Sequence, residues 1–369
     1  MWKSLLAAAL IVLPTVAYAQ PHPSKKQDDT TIVVTGRLLP LLPMHVGGKV
    51  RRDKIGYDYQ WPGVYFEATF MAPVVSLDFD DDANNFNVIV DGKLVMIVRK
   101  PGRRVISVEA EGPGPHTVRL EKRSETQYAT GHFLGFRALP AKPALARARQ
   151  IEFIGDSFTV GYGNTSAFTQ CTPDEIFETT DAQESFGPLT AKHFDADYQI
   201  NAFSGLGLVR NYDGREHARY HLPMLYPRAI FDDPTPAVEP DWHPQAIVIR
   251  IGGNDFSTDL HAGEPWATPD ALAADYQKTY IAFVQRLRAA NPKAEIVMFW
   301  DEDNAAFSAS AQKVFDALKA SGMERLDHIV LPKPADTGCN GHPNIRDDAK
   351  NADTFIAWFE AHPDVWQGK

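Results

Sequence analysis

The run Ile151-Glu152-Phe153-Ile154 stops abruptly at Gly155-Asp156-Ser157. A hydroxyl just past a buried strand lies at the mouth of an α/β sheet, where such folds hold nucleophiles and ligands. A lone Gly-Asp-Ser is a common turn, but three further pieces follow in order: Ser204-Gly205, Gly252-Gly253-Asn254-Asp255 and Gly341-His342-Pro343. Glycine lets a substrate oxygen come close to a backbone N–H. Asn254 can offer an amide donor, and His342 an imidazole. A hydroxyl, a base and neutral donors are what acyl transfer requires, because the base removes the hydroxyl proton and the donors stabilise the oxyanion. Ser157 therefore reads as the nucleophile of an ester hydrolase.

Each piece needs a strand end to hold it. Apolar strand candidates fall at 151–154, 198–203, 246–251, 295–300 and 328–331, with helical patterns between them. Thr268-Pro269-Asp270 resembles a capped helix start, and Tyr276, Tyr280, Phe283, Val284 and Leu287 share one face until Asn291-Pro292. Val314, Phe315 and Leu318 mark a second helix; Ala352, Phe355, Ile356 and Phe359 mark the last. Alternating strands and helices imply a parallel, doubly wound sheet with helices on both faces over 150–366. Residues 31–139 read differently, as many short β-branched and aromatic runs such as 32–34, 74–79, 86–90 and 94–98. Turn residues separate them, and Asp91-Gly92 is a hairpin signal, so a β-sandwich or jelly roll is expected there. Pro140, Pro143 and the Ala/Arg-rich stretch suggest a linker over 140–149.

At 369 residues, two domains are expected. The net charge of −10 argues against nucleic-acid and anionic-membrane partners. Lys3, the apolar run Leu5 to Val12 and Ala17-Tyr18-Ala19 form a cleavable signal peptide over 1–19, too short to span a bilayer. No cysteine follows the cleavage site to carry a lipid anchor, so a secreted or periplasmic protein is expected. The chain has two cysteines, Cys171 and Cys339. In an oxidising compartment they can form one bridge, tying the loop after Ser157 to the loop bearing His342; the alternative is two unrelated buried thiols.

The four blocks resemble those of the SGNH, or GDSL-type, hydrolases. The likeness is closer still to carbohydrate esterase family 2, which joins a jelly roll to an SGNH domain (flavodoxin-like, three-layer α/β/α) and deacetylates plant polysaccharides. It is carried by His116 to Glu125, by Gly155 to Asn164 (G-D-S-F-T-V-G-Y-G-N) and by Ser204 to Tyr212. Asn254 to Ser257 and Gly338 to Asn344 complete the set. The resemblance implies Ser157 as nucleophile and His342 as general base and then general acid. It implies an oxyanion hole of the Ser157 N–H, the Gly205 N–H and the Asn254 side chain. Asp156 and Asp255 are expected to fix their loops. One departure stands out: many SGNH enzymes place an Asp three residues before the His and family 2 often places one two before, where this chain has Cys339 and Asn340. Either a backbone carbonyl holds His342, giving a Ser–His dyad, or a distant acid such as Asp336 does; the dyad is the favoured reading.

Other chemistries fit less well. There is no G-x-S-x-G elbow and no H-E-x-x-H, and Asp78, Asp80 and Asp82 lack the Gly and Glu of a calcium loop and read as a solvated turn. His193, His217 and His261 read as ordinary histidines, and Trp242, Trp266 and Trp300 as either sugar platforms or core. The expectation is a serine esterase without metal or cofactor, acting on acetylated carbohydrate. The alternatives are a lipase, thioesterase or acyltransferase on the same scaffold, or a catalytically inactive carbohydrate-binding protein.

Overall fold

The computed structural model describes residues 39–71, 73–126, 129–143, 146–215, 219–302, 304–333, 335 and 337–367. The expected signal peptide, the strand candidate at 32–34, His217 and Asp336 lie outside them.

The first half is a sandwich of two five-stranded sheets. One runs in the order His45–Gly47, Tyr65–Phe70, His116–Lys122, Asn85–Val90, Lys93–Arg99. The other runs Arg51–Arg52, Tyr57–Tyr59, Gly131–Arg137, Val74–Asp81, Gly102–Glu109. Residues facing inward from both sheets, among them Phe66, Phe79, Phe86, Val88, Phe133 and Phe136, close the core. The expected hairpin is present: Asn85–Val90 pairs antiparallel with Lys93–Arg99 across Asp91 (φ 49°) and Gly92 (φ 76°). These left-handed values match the right-handed strand twist. Asp78 and Asp80 lie within the strand Val74–Asp81 rather than in a turn, and Asp78 pairs with Arg137.

The second half is a parallel sheet in the order Ala196–Ala202, Arg149–Gly155, Ala246–Arg250, Glu295–Asp301, Leu326–Leu331. The chain starts at Arg149–Gly155, adds one neighbour on one side, then works outward on the other. The strand order therefore reverses at the end of Arg149–Gly155, where open sheets place ligands. Helices Pro269–Ala290 and Ala305–Ala320 cover one face, packing Tyr276, Tyr280, Phe283, Val314 and Leu318 on Ile247, Ile249 and Met298. Helices Phe186–His193 and Ile345–Ala361 cover the other, with Phe186, Phe355 and Phe359 on Phe153, Val248 and Phe299.

The sandwich and the sheet share core. Trp61 is fully buried in the sheet's own cluster. Its ring meets Phe231 edge-on, and its indole N–H donates to the Arg228 carbonyl at 2.7 Å. Gly63 (φ 71°) must be glycine, since a Cβ there would come within 2.6 Å of Ile200. The Asp197 carboxylate accepts from Tyr65 at 2.6 Å and meets His45 at 2.8 Å, again across the two halves. Among the described residues no helix is long and apolar enough to cross a membrane.

Candidate active site

Ser157 is the first residue of a one-turn helix, Ser157–Val160. Asp156 caps it, its Oδ1 accepting the Phe158 N–H at 3.1 Å. Gly155 must lack a side chain, because a Cβ there would meet Thr159 Oγ1 at 2.1 Å and the Arg250 carbonyl at 2.7 Å. Gly161 (φ 78°) ends the turn and lets the chain double back. The result is a tight strand–turn–helix that lifts the Ser157 hydroxyl out at the switch point.

His342 Nε2 lies 2.8 Å from Ser157 Oγ. His342 Nδ1 lies 3.0 Å from the Cys339 carbonyl. A carbonyl can only accept, so the proton sits on Nδ1 and Nε2 presents its lone pair to the serine hydroxyl. Burial lowers the His342 pKa below the ordinary histidine value, against the Cys339 carbonyl and the Asp156 charge, which raise it. The Tyr162 ring lies 4.4 Å from the imidazole.

The loop bearing His342 is held from two sides. Cys171 and Cys339 form a disulfide. Asn340, in a left-handed conformation (φ 52°), accepts the Cys171 N–H on its Oδ1 at 3.2 Å, while its own N–H donates to the Thr169 carbonyl at 2.8 Å. At the position where an acid was sought, the amide thus braces the loop that carries Cys171. On the other side is Asn164, fully buried, at the end of the Gly155–Asn164 block. Its carbonyl accepts the Ile345 N–H (3.0 Å), and its side chain donates to Asp348 (3.0 Å) and to the Asp181 carbonyl (3.1 Å). One residue of the serine block therefore ties down the start of the helix Ile345–Ala361 that follows His342.

Ser204-Gly205 leaves the strand Ala196–Ala202, and Gly205 takes φ 82°. Among the described residues, neither the Gly205 nor the Ser157 N–H meets an acceptor. The loop that follows wraps Asp255, whose carboxylate accepts the N–H groups of Leu208 (2.9 Å), Val209 (2.8 Å) and Arg210 (2.9 Å). Burial pushes the Asp255 carboxyl up to about 7 despite these donors. Asn254 donates one amide hydrogen to the Leu206 carbonyl at 2.8 Å, which orients the other.

Two contributors had been assigned no role. Arg250, buried at the end of its strand, joins Asp156 (3.1 Å) to Asp301 (2.6 Å) beneath the serine turn. A charge closing the apolar run Ala246-Ile247-Val248-Ile249 was the available signal. Glu125 comes from the sandwich and accepts the Ser204 N–H at 2.6 Å. The tryptophans divide: Trp300 is core and stacks on His328, Trp242 precedes its strand and so lies at the opposite end of the sheet, and Trp266 donates to Asp275. Among the described residues, Asp53, Asp58 and His132 bring potential metal-ligand atoms within 4.8 Å, but they lie on the sandwich and Arg51 already pairs with Asp58 at 2.7 Å.

Residues 46–146 match the carbohydrate esterase 2 N-terminal family, and residues 153–362 the GDSL-like lipase/acylhydrolase family. An acetylxylan esterase/glucomannan deacetylase of Cellvibrio japonicus (strain Ueda107) is 45% identical over 334 residues, spanning 88% of this chain and 92% of that protein. A solved carbohydrate esterase, described as having divergent catalytic and non-catalytic binding functions of its active site, superposes with a TM-score of 0.83 at 43% identity, over 89% of this chain and all (100%) of that one. A family two carbohydrate esterase from Clostridium thermocellum, solved with cellohexaose, shares the fold at a TM-score of 0.76 and 24% identity, covering 88% and 100% of the two chains. On the two matched segments and the extent of this likeness, the chain belongs to carbohydrate esterase family 2 and is a carboxylic ester hydrolase.

Proposed function

We propose that the protein is an exported acetyl esterase that removes O-acetyl groups from plant-type polysaccharides or oligosaccharides, working through an acetyl-serine intermediate. The observation that carries the reading is the 2.8 Å contact from His342 Nε2 to Ser157 Oγ, with the tautomer set by the Cys339 carbonyl. His342 takes the hydroxyl proton as Ser157 Oγ bonds to the acetyl carbonyl carbon. The negative oxygen is received by the Ser157 and Gly205 N–H groups and the Asn254 amide. The tetrahedral intermediate collapses as His342 returns the proton to the departing sugar oxygen. Water then repeats the sequence on the acetyl-serine and releases acetate. Among the described residues the imidazolium is met by a carbonyl dipole and, at longer range, the Asp156 charge, with no carboxylate bonded to it. The pair therefore works as a dyad.

The carbohydrate substrate rests on the similarity to the Cellvibrio acetylxylan esterase/glucomannan deacetylase. Export rests on the first 19 residues of the sequence and agrees with the disulfide. Acetate release from acetylated xylan and glucomannan, set beside chromogenic acetyl, butyryl and long-chain esters, tests the reading. The expected outcome is acetate release with a preference for the acetyl ester. Preference for long chains would instead indicate a lipase, and binding without turnover a carbohydrate-binding protein.

A further inference from the structure

The segment after the sandwich strand His116–Lys122 crosses into the catalytic half along a path fixed by polar contacts. Lys122, fully buried, donates to the carbonyls of Gln60 (3.1 Å) and Ser124 (2.9 Å). Burial lowers its ammonium to about 8, against the pull of the Asp81 and Glu125 carboxylates. The Lys122 carbonyl accepts from Gln183 Nε2 at 3.1 Å, and the Arg123 carbonyl accepts the Ala182 N–H at 2.9 Å. Ser124 Oγ accepts the Asn85 N–H at 2.9 Å. Residues 122–124 thus form a rigid strut clamped by both halves. At its tip, Glu125 Oε1 accepts the Ser204 N–H at 2.6 Å.

Ser204 immediately precedes Gly205, whose left-handed φ would otherwise leave the intervening peptide free to rotate. Glu125 fixes the N–H on one side of that peptide. On the other side, the Gly205 carbonyl accepts the Tyr212 N–H at 2.8 Å. The two contacts bracket the Gly205 N–H and set the direction in which it points. We infer that Glu125 is a positioning residue of the esterase site: from the β-sandwich, it holds the Ser204–Gly205 peptide so that the Gly205 N–H meets the developing oxyanion. The inference rests on the acyl-transfer reading of Ser157. It gives the sandwich a part in the chemistry beyond support.

The test compares wild type with Glu125→Ala, Glu125→Asp and Glu125→Gln on a chromogenic acetyl ester, with kcat and KM determined separately. Loss of the acceptor, or its withdrawal by one methylene, should lower kcat about 10–100-fold with KM little changed. Glutamine keeps an oxygen at the same reach and should restore kcat to within about threefold of wild type. Inactivation by a fluorophosphonate, whose phosphoryl oxygen enters the same hole, should slow by the same factor as kcat. Wild-type kcat in a folded Glu125→Ala or Glu125→Asp protein would overturn the inference, as would a Gln variant as slow as Ala. Should Ala fail to fold, the milder Asp and Gln variants decide the matter between them. Failure of the underlying esterase reading looks different, because wild type itself would then show no Ser157-dependent turnover, and this inference would fall with it.

Discussion

The imidazole of His342 receives its orientation from a carbonyl, and that has a consequence for pH. Burial disfavours the imidazolium, and among the described residues no directly bonded carboxylate restores it. In the proposed mechanism the neutral ring is the base, so activity is expected to be lost as pH falls through the lowered pKa. The acid limb of kcat/KM is therefore expected below the ordinary histidine value near 6.5. A limb at or above that value would show that some other group charges the ring. Asn254→Ala removes one donor of the proposed oxyanion hole and should lower kcat about 100–1,000-fold while KM moves little. At this scale the sequence singled out Ser157 and His342, and the structure brings their side chains to 2.8 Å of one another. The sequence assigned no role to Arg250 or to Glu125, the last residue of a block that carries the resemblance, because their partners lie 94 and 79 residues away. Their importance is set by packing rather than by local pattern.

Among elements, the loop Cys339–Gly341 matters most, since its first carbonyl holds the histidine and its first sulfur is cross-linked to Cys171. Reduction, or Cys171→Ser, should lower kcat with little change in KM, because the Cys339 carbonyl is freed to drift from Nδ1. The same change should destabilise the fold by about 2–5 kcal/mol, read by denaturant titration. Unchanged kcat in the reduced, folded protein would show that Asn164 and Asn340 hold the loop unaided. The strand and helix alternation was plain in the sequence, down to the helix beginning at Pro269 after its Thr268 cap. The left-handed turn at Asn340 was not, since a residue noted only for standing where family 2 often has an Asp is recruited to brace the neighbouring loop.

For the whole molecule, buried carboxyls set the pH response of stability. Burial raises Asp348 to about 8 and Asp255 to about 7, both from an unfolded value of 3.8. Between those limits the folded chain holds protons that the unfolded chain releases, so stability is lost as pH rises from about 4 toward 8. Asp197, lowered to about 2 by its His45 and Tyr65 partners against the effect of burial, acts oppositely and only in strong acid. Melting temperature should therefore fall between pH 5 and 8.5, and Asp348→Asn should flatten that slope; an unaltered slope would assign it elsewhere. The two-part architecture was legible from composition and turn spacing. The shared core was not, because Trp61 and Tyr65 look like ordinary sandwich residues until the partner sheet, Ile200 and Asp197 included, is in place.

In the proposed reaction a covalent acetyl group passes through Ser157. Acid quenching during turnover of an activated acetyl ester, followed by peptide mass analysis, looks for it directly. The expected result is one added acetyl mass on the peptide containing Ser157, absent in Ser157→Ala, which should also lose turnover. Undiminished hydrolysis by Ser157→Ala, or an acetyl group accumulating on a different residue, would contradict it.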